Sequence, residues 1–396
     1  MIDQLGEGIL TMRLSMISAA LVAALIGYGS TIALVLAAAQ AVGASPAQSA
    51  SWVAAVCFGK AIGSALLSTW KRVPVLLAWS TPGAAVIAAS TGVNINEAVG
   101  AFVFAGCLIA LTGLLPPVNR MVSAIPTGIA SGMLAGVLLP FCIAVATYAE
   151  SDPHLVVPLI AVFLVVRLIN PLFAVLVALA GGVAIAALLT DFTMPVFQLD
   201  PQPFVFIMPA FSVPVLIGLG LPVYLVTMAS QNLPGFAVLR SNGYEPPVAA
   251  ALGVTGVGSA IAALFGAHTF NMAAITAAIC VSDDVHPDRS QRWKIGLPYA
   301  AIWISLGVLG PVIIPSILAL PKAIVAVIAG LALIVPLIGA LASAFEVPAT
   351  RFAAAATFLV TASGIAAFGI GAAFWGLMAG LVIHLMEPLT RTQPPR

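Results

Sequence analysis

A chain of 396 residues with 62% hydrophobic and 7% charged side chains, and a mean hydropathy of +1.16, excludes a soluble globule, whose charged fraction is about 25%. A net charge of +1 excludes a basic surface for nucleic acid, and no charge run or low-complexity tract points to a disordered tail. What remains is an all-α polytopic membrane protein whose large partner is the lipid bilayer.

Charges stand before Arg13, but the apolar run that follows continues to about Ala41, too long for a signal-peptide core, and reads as a retained span. A span needs roughly 20 apolar residues. Full-length candidates lie at 14–41, 47–69, 96–115, 121–147, 154–169, 171–190, 211–239, 247–265, 295–314, 323–344, 350–368 and 370–387. Two further elements, 75–90 and 268–282, are short and open on polar residues. The sum is fourteen, seven in each half. Cys57, Cys107, Cys142 and Cys280 all sit within apolar runs and read as small buried hydrophobes rather than disulfide partners or metal ligands.

The basic residues test this count, because cytoplasmic loops collect them. With the N-terminus inside, Arg13, Lys71, Arg72, Arg120, Arg167, Arg240, Arg289, Arg292, Lys294, Arg351, Arg391 and Arg396 all fall on the cytoplasmic face. Lys322 alone falls outside, and Lys60 lies within a span. A wrong count would scatter these charges, so the expectation is fourteen spans with both termini cytoplasmic.

The two halves echo each other. Gly63-Ser64-Ala65-Leu66 leads into Ala78-Trp79-Ser80-Thr81-Pro82-Gly83-Ala84-Ala85, and Gly258-Ser259-Ala260-Ile261 leads into Gly266-Ala267-His268-Thr269-Phe270-Asn271-Met272. Gly113, Pro117 and Pro126 are answered by Gly307, Pro311 and Pro321. Residues 1–208 and 209–396 therefore read as two repeats of seven spans. An odd number of spans per unit forces opposite orientations, which makes a 7+7 inverted repeat suited to alternating access.

Interrupted hydrophobic segments at matching places point to a transporter's binding site, because non-helical backbone at membrane depth survives only where it lines a cavity. Thr81, Pro82 and Gly83 suit a helix N-terminus that a ligand can approach, with Ser80 just before them. Thr269, Phe270, Asn271 and Met272 offer a hydroxyl, an aromatic face and an amide at the matching place. Two convergent N-termini favour an anionic group such as a carboxylate. The competing reading is a pair of packing kinks.

A second polar patch, Ser230, Gln231 and Asn232 before Pro234, falls in an otherwise apolar span and reads as part of the same site, with gluing of helices as its alternative. Tyr28, Ser30 and Thr31 form its weaker counterpart in the first span. No Asp or Glu falls in the middle of a candidate span, which fits an anion better than a cation. His268 is the titratable group beside a broken element: it either takes a coupling proton or sits neutral, hydrogen-bonded to backbone. Lys60 is paired, snorkels, or attracts an anion on its route. No metal, nucleotide or acyl-transfer motif appears, so no cofactor and no enzyme activity are expected.

Arg72-Val73-Pro74-Val75-Leu76-Leu77-Ala78-Trp79-Ser80-Thr81-Pro82-Gly83-Ala84-Ala85, Leu225-Val226-Thr227-Met228-Ala229-Ser230-Gln231-Asn232, Ala273-Ala274-Ile275-Thr276-Ala277-Ala278-Ile279-Cys280, and Phe358-Leu359-Val360-Thr361-Ala362-Ser363-Gly364 with Ala373-Phe374-Trp375-Gly376-Leu377 closely resemble the BenE-type benzoate–proton symporter family. The resemblance runs almost from end to end. It implies the fold of the nucleobase and ascorbate permeases, with a core domain from 12–119 and 209–316 and a gate domain from 120–208 and 317–396, often dimeric. It also implies that spans 3 and 10 begin as short strands, over Val75–Ser80 and Ala267–Phe270, and continue as half-helices. Nucleobase members carry carboxylates on spans 8 and 10, where this chain has Gln231 and Asn271. The expected function is therefore proton-coupled uptake of benzoate or a related aromatic carboxylate through a bacterial inner membrane. A nucleobase or other organic-anion permease and an anion channel are the alternatives.

Overall fold

The computed structural model describes residues 14–115, 125–171, 173–190, 204–273, 275–282, 285–368 and 370–390. Arg13, Arg120, Arg391 and Arg396, on which part of the charge argument rests, lie outside them. The first half runs through α1 (Leu14–Ala41), α2 (Pro46–Lys71), β1 (Leu77–Trp79), α3 (Thr81–Ala88), α4 (Ile95–Leu114), α5 (Thr127–Ser151), α6 (Pro153–Ile169) and α7 (Ala174–Leu189). The second half runs through α8 (Val213–Ser241), α9 (Val248–Ala263), β2 (Phe270–Met272), α10 (Ile275–Cys280), α11 (Gly296–Val308), α12 (Gly310–Leu318), α13 (Lys322–Ala344), α14 (Arg351–Ala362) and α15 (Ala372–Thr390).

Several helices start where their sequence satisfies the first free N–H groups. Ser45 accepts from the Gln48 amide while the Gln48 side chain accepts from the Ser45 amide, a reciprocal cap that starts α2 with Pro46 in its first turn. Asn94 and Glu97 do the same for α4. Among the described residues, α1, α2, α4, α5, α8 and α13 are long and apolar enough to cross a membrane, and the bent pair α11 and α12 would make a seventh span. Large apolar side chains such as Leu14, Leu168, Leu188 and Phe352 are exposed, as a hydrocarbon solvent allows.

The structure departs from the sequence reading at three places. The segment expected as one span over 295–314 is two helices bent by 56°. Pro311 has no N–H to donate, and its ring would press on the carbonyl of Gly307, so the helix breaks at Leu309. The segment expected over 350–368 stops being helical at Ala362, where Gly364 takes a φ of +68° that most side chains disfavour. The second strand occupies Phe270–Met272 instead of Ala267–Phe270, because its N–H groups are captured by side chains of α9 and α8 described below.

α8 remains helical through two prolines by widening. Leu216–Gly220 and Met228–Asn232 are π turns, each ending one residue before a leucine followed by Pro222 or Pro234. In both, the N–H of that leucine reaches back five residues, to Leu216 or Met228. The wider turn takes up the clash that a proline ring imposes on the carbonyl four residues earlier.

Helix packing relies on small residues, as association in lipid requires. α4 lies against α9 with Gly106 and Gly113 facing Gly256, Ala260 and Leu252, and α2 lies against α11. α5 packs on α13 and α14, α14 on α15, and α6 on α7. Between these elements the two strands form an antiparallel pair, with Leu77 opposite Met272, Ala78 opposite Asn271 and Trp79 opposite Phe270. The sheet joins two stretches that the sequence had singled out as broken.

Candidate functional site

The crossing of β1 and β2 is buried, so each backbone group needs a partner inside the protein. One echo in the sequence supplies two of them. Ser64 of α2 accepts from the Leu77 amide at 2.9 Å, and Ser259 of α9 accepts from the Phe270 amide at 3.0 Å. Leu77 and Phe270 are the first residues of their strands. The preceding glycines make room: a side chain at Gly63 would meet Leu77, and one at Gly258 would meet Phe270. Further bonds extend the crossing at both ends, from the Ser80 amide to the Thr269 carbonyl and from the Ala273 amide to the Leu76 carbonyl. The Tyr299 hydroxyl donates to the Leu77 carbonyl at 2.9 Å.

β1 passes directly into α3. Ser80 is the residue that caps it, its hydroxyl accepting from the Gly83 amide at 3.0 Å. The same hydroxyl shares a hydrogen bond of 2.7 Å with Thr227 of α8, and Thr227 shares one of 3.1 Å with Thr269. Three hydroxyls thus tie the start of α3, the middle of α8 and the approach to β2 together. Ser80, Gly83 and Thr269 were candidates from sequence, but the link between them was not. Thr227, one helical turn before Gln231 in the same apolar span, is the signal that would have suggested it.

Asn232 works from the other side. Its carbonyl oxygen accepts from the Met272 amide at 3.0 Å, so this buried amide holds β2 in its register. Replacing Asn232→Ala should leave the Met272 N–H unpaired in the interior and destabilise the protein by about 1–3 kcal/mol, read as a lower unfolding midpoint in detergent. An unchanged midpoint would mean that this N–H finds another acceptor.

The remaining candidates are spread around this centre. Pro82 is buried and Thr81 half-buried in the first turn of α3. Ser230 and Gln231 are half-buried on the second π turn. Asn271 turns its amide N–H to the Met272 carbonyl, and its own carbonyl oxygen is buried without a partner. Phe270 fills the space over Gly59, Gly63 and Gly258. Tyr28 lies with its ring centroid 5.6 Å from that of Trp79, its hydroxyl unpartnered, while Thr31 accepts from the Trp79 indole. His268 accepts on Nδ1 from the Trp52 indole at 2.8 Å, which leaves the proton of a neutral ring on Nε2. Protonating Nδ1 would set two donors against each other, so a charged His268 requires this bond to break. No local signal in the sequence couples these two residues.

A cleft is lined by Leu225, Ala229 and Leu233 of α8, by Thr127, Ala130 and Met133 of α5 with Ile125 before it, and by Leu377 of α15, none of which takes part in the hydrogen bonds of the crossing. Its walls are mostly apolar. The arrangement offers hydroxyls, amides and a capped helix start at the crossing, and an apolar cleft bordered by the same helix α8, features that suit an organic molecule with a polar, acceptor-bearing end.

The family described as benzoate membrane transport protein, BenE, matches residues 11–386. The chain is 37% identical over 369 residues to the inner membrane protein YdcO of Escherichia coli (strain K12), covering 93% of this chain and 94% of that protein. It is 32% identical over 381 residues to the benzoate membrane transport protein of Acinetobacter baylyi, covering 95% and 96%. Among solved structures, the transmembrane domain of the cyanobacterial bicarbonate transporter BicA superposes with a TM-score of 0.59 at 14% identity, covering 93% of this chain and 98% of that one. SLC26A9 superposes with a TM-score of 0.61 at 13% identity over 96% of this chain, which spans 66% of the length of that protein. At such identities the likeness to the two structures is one of fold.

Proposed function

This chain belongs to the benzoate membrane transport protein family, and from that premise we propose that it carries benzoate or a related aromatic carboxylate inward across a bacterial inner membrane together with a proton, by alternating access. It is a multi-pass membrane transport protein and not an enzyme. The observation that carries the finer reading is the strand crossing, which places Ser80, Thr227, Thr269 and the capped start of α3 together at a buried point where the polar residues carry no carboxylate. A nucleobase presents donors as well as acceptors and calls for an acid to receive them, whereas a carboxylate calls for donors. Gln231, Asn232 and Asn271 stand here instead.

The matched roles of Ser64 and Ser259 support a 7+7 inverted repeat, helix or strand-plus-helix at the places of the candidate spans supports fourteen crossings, and the placing of the basic residues supports cytoplasmic termini. The packing partners support a core built from α1–α4 and α8–α12 and a gate built from α5–α7 and α13–α15. On this reading the cleft between α8 and α5 is the substrate's route, and rocking of one group against the other exposes it to either side.

Counterflow of labelled benzoate into preloaded proteoliposomes tests the reading. At pH 8 only about one benzoate in ten thousand is the membrane-permeant neutral acid, and protein-free liposomes subtract its leak. A transient protein-dependent overshoot, competed by aromatic carboxylates and not by nucleobases, is expected. A channel would give none. Gln231→Ala, which removes an amide from the π turn, should slow counterflow roughly tenfold, about 1.4 kcal/mol, at unchanged membrane insertion. A wild-type rate would remove Gln231 from the site.

A further inference from the structure

Lys60 of α2 is fully buried, and its ammonium nitrogen makes no hydrogen bond. It lies 3.0 Å from the ring centroid of Trp303 and 3.6 Å from that of Trp79. Tyr28 packs on both indoles, its ring centroid 5.6 Å from that of Trp79 and 6.1 Å from that of Trp303, and Tyr299 lies 6.0 Å from Trp303. Among the described residues, the titratable groups that interact with it are Cys57 on its own helix and His268 from the approach to β2, while Tyr28 from α1 and Tyr299 from α11 stand against its two indoles. None of them is a carboxylate. The Tyr28 hydroxyl and the Trp303 indole N–H are also buried without partners. Among the described residues, the surroundings thus hold donors and ring faces but no fixed negative charge.

Two aromatic faces return only a fraction of the hydration that a buried ammonium gives up. Such a group is at ease as a neutral amine, or as a cation with an anion close by. The site described above is where an anion would arrive, and it is mechanically continuous with Lys60. Trp79, which covers the amine, is the last residue of β1, and Ser80 follows it as the cap of α3. The Lys60 carbonyl accepts from Ser64, whose oxygen receives the first amide of β1.

We propose that Lys60 is the proton carrier of the transport cycle: neutral in its ring box when the site is empty, and protonated when a carboxylate occupies the strand crossing. This rests on the proton-coupled reading given above and names the group that carries it out. The amine takes one proton from the outer solution as the anion binds, the pair crosses with no net charge, and the ammonium returns the proton to the cytoplasm as the anion leaves. His268 is a less suitable carrier, since its Nδ1 is occupied by Trp52.

The test is proton uptake by the purified full-length protein in weakly buffered detergent solution at pH 8 on addition of benzoate. The wild type should take up about one proton per benzoate bound, because free benzoate is already ionised and brings none. Lys60→Met should take up none, and neither should Lys60→Arg, whose guanidinium is charged in both states. His268→Gln should keep the wild-type uptake. Wild-type binding without proton uptake, uptake persisting in either Lys60 variant, or uptake lost in His268→Gln would each overturn the assignment. If both Lys60 variants fail to fold, absence of uptake by the wild type or its loss in His268→Gln still overturns the assignment. Absence of benzoate binding by the wild type would instead remove the substrate reading and this proposal with it.

Discussion

Gly83→Val is expected to reduce benzoate counterflow at least about a hundredfold, an effect of about 2.7 kcal/mol, while the protein still inserts and elutes as a single species. A side chain at Gly83 would start 2.7 Å from the Ser80 hydroxyl and 3.0 Å from the Ser80 Cβ, with Thr227 at 3.5 Å. Valine's methyl groups reach further than that Cβ. Ser80 must therefore rotate away, which removes the cap on the Gly83 amide and breaks its bond to Thr227. Loss of a cap is worth about 1 kcal/mol and overpacking about 1–3 kcal/mol. Both fall on a short half-helix rather than on a load shared by the whole fold, so the damage should be to transport. Wild-type counterflow would show that the hydroxyl chain lies away from the substrate.

Gly256→Val should act on the whole molecule. Its Cβ would lie 2.7 Å from the Ala110 Cα and from the Gly106 carbonyl oxygen, and would also strike the Ala110 amide. These are backbone atoms of α4 and cannot swing aside, so α9 has to move off. β2 moves with it, because Ser259 of α9 holds the Phe270 amide. We expect a loss of about 3 kcal/mol or more, seen as a clear fall in the unfolding midpoint in detergent or as failure to accumulate. Gly253 lies on the same helix with nothing within 4 Å of where its Cβ would be. Gly253→Val should shift stability by no more than about 0.5 kcal/mol. Equal behaviour of the two variants would show that the close approach of α4 and α9 is dispensable.

What could be read beforehand is local. The run from Leu14 to Ala41 is apolar from end to end, and the helix occupies those residues. Trp79-Ser80-Thr81-Pro82-Gly83 announces a capped helix start by its residue types, and α3 begins at Thr81. The echo of Ser64 in Ser259 was visible, but the use of both hydroxyls to receive the first amide of a strand was not, since it depends on partners 13 and 11 positions away that no periodicity links. The register of β2 was misplaced for a related reason. Ala267–Phe270 and Phe270–Met272 differ little in strand propensity, and the choice is made by Ser259 and by Asn232, 40 residues upstream of Met272. Pro222 and Pro234 signalled irregularity in α8 but not its form, because a helix can answer a proline by breaking or by widening. The contact of Trp52 with His268 spans 216 residues, and the ring box around Lys60 draws on α1, α2, β1 and α11. Such constellations exist only once the chain has folded.

The strand crossing also constrains how the protein is made. β1 emerges early, yet its antiparallel partner Phe270–Met272 is translated only after α3 to α9. Until then the strand Leu77–Trp79 has local partners such as Ser64, which holds the Leu77 amide, but lacks its strand neighbour, and hydrocarbon penalises an unpaired strand edge. The nascent first half is thus an incomplete object until the second half supplies β2. Assembly of this protein is accordingly a late, long-range event, completed when Phe270–Met272 closes the sheet that Leu77–Trp79 opened.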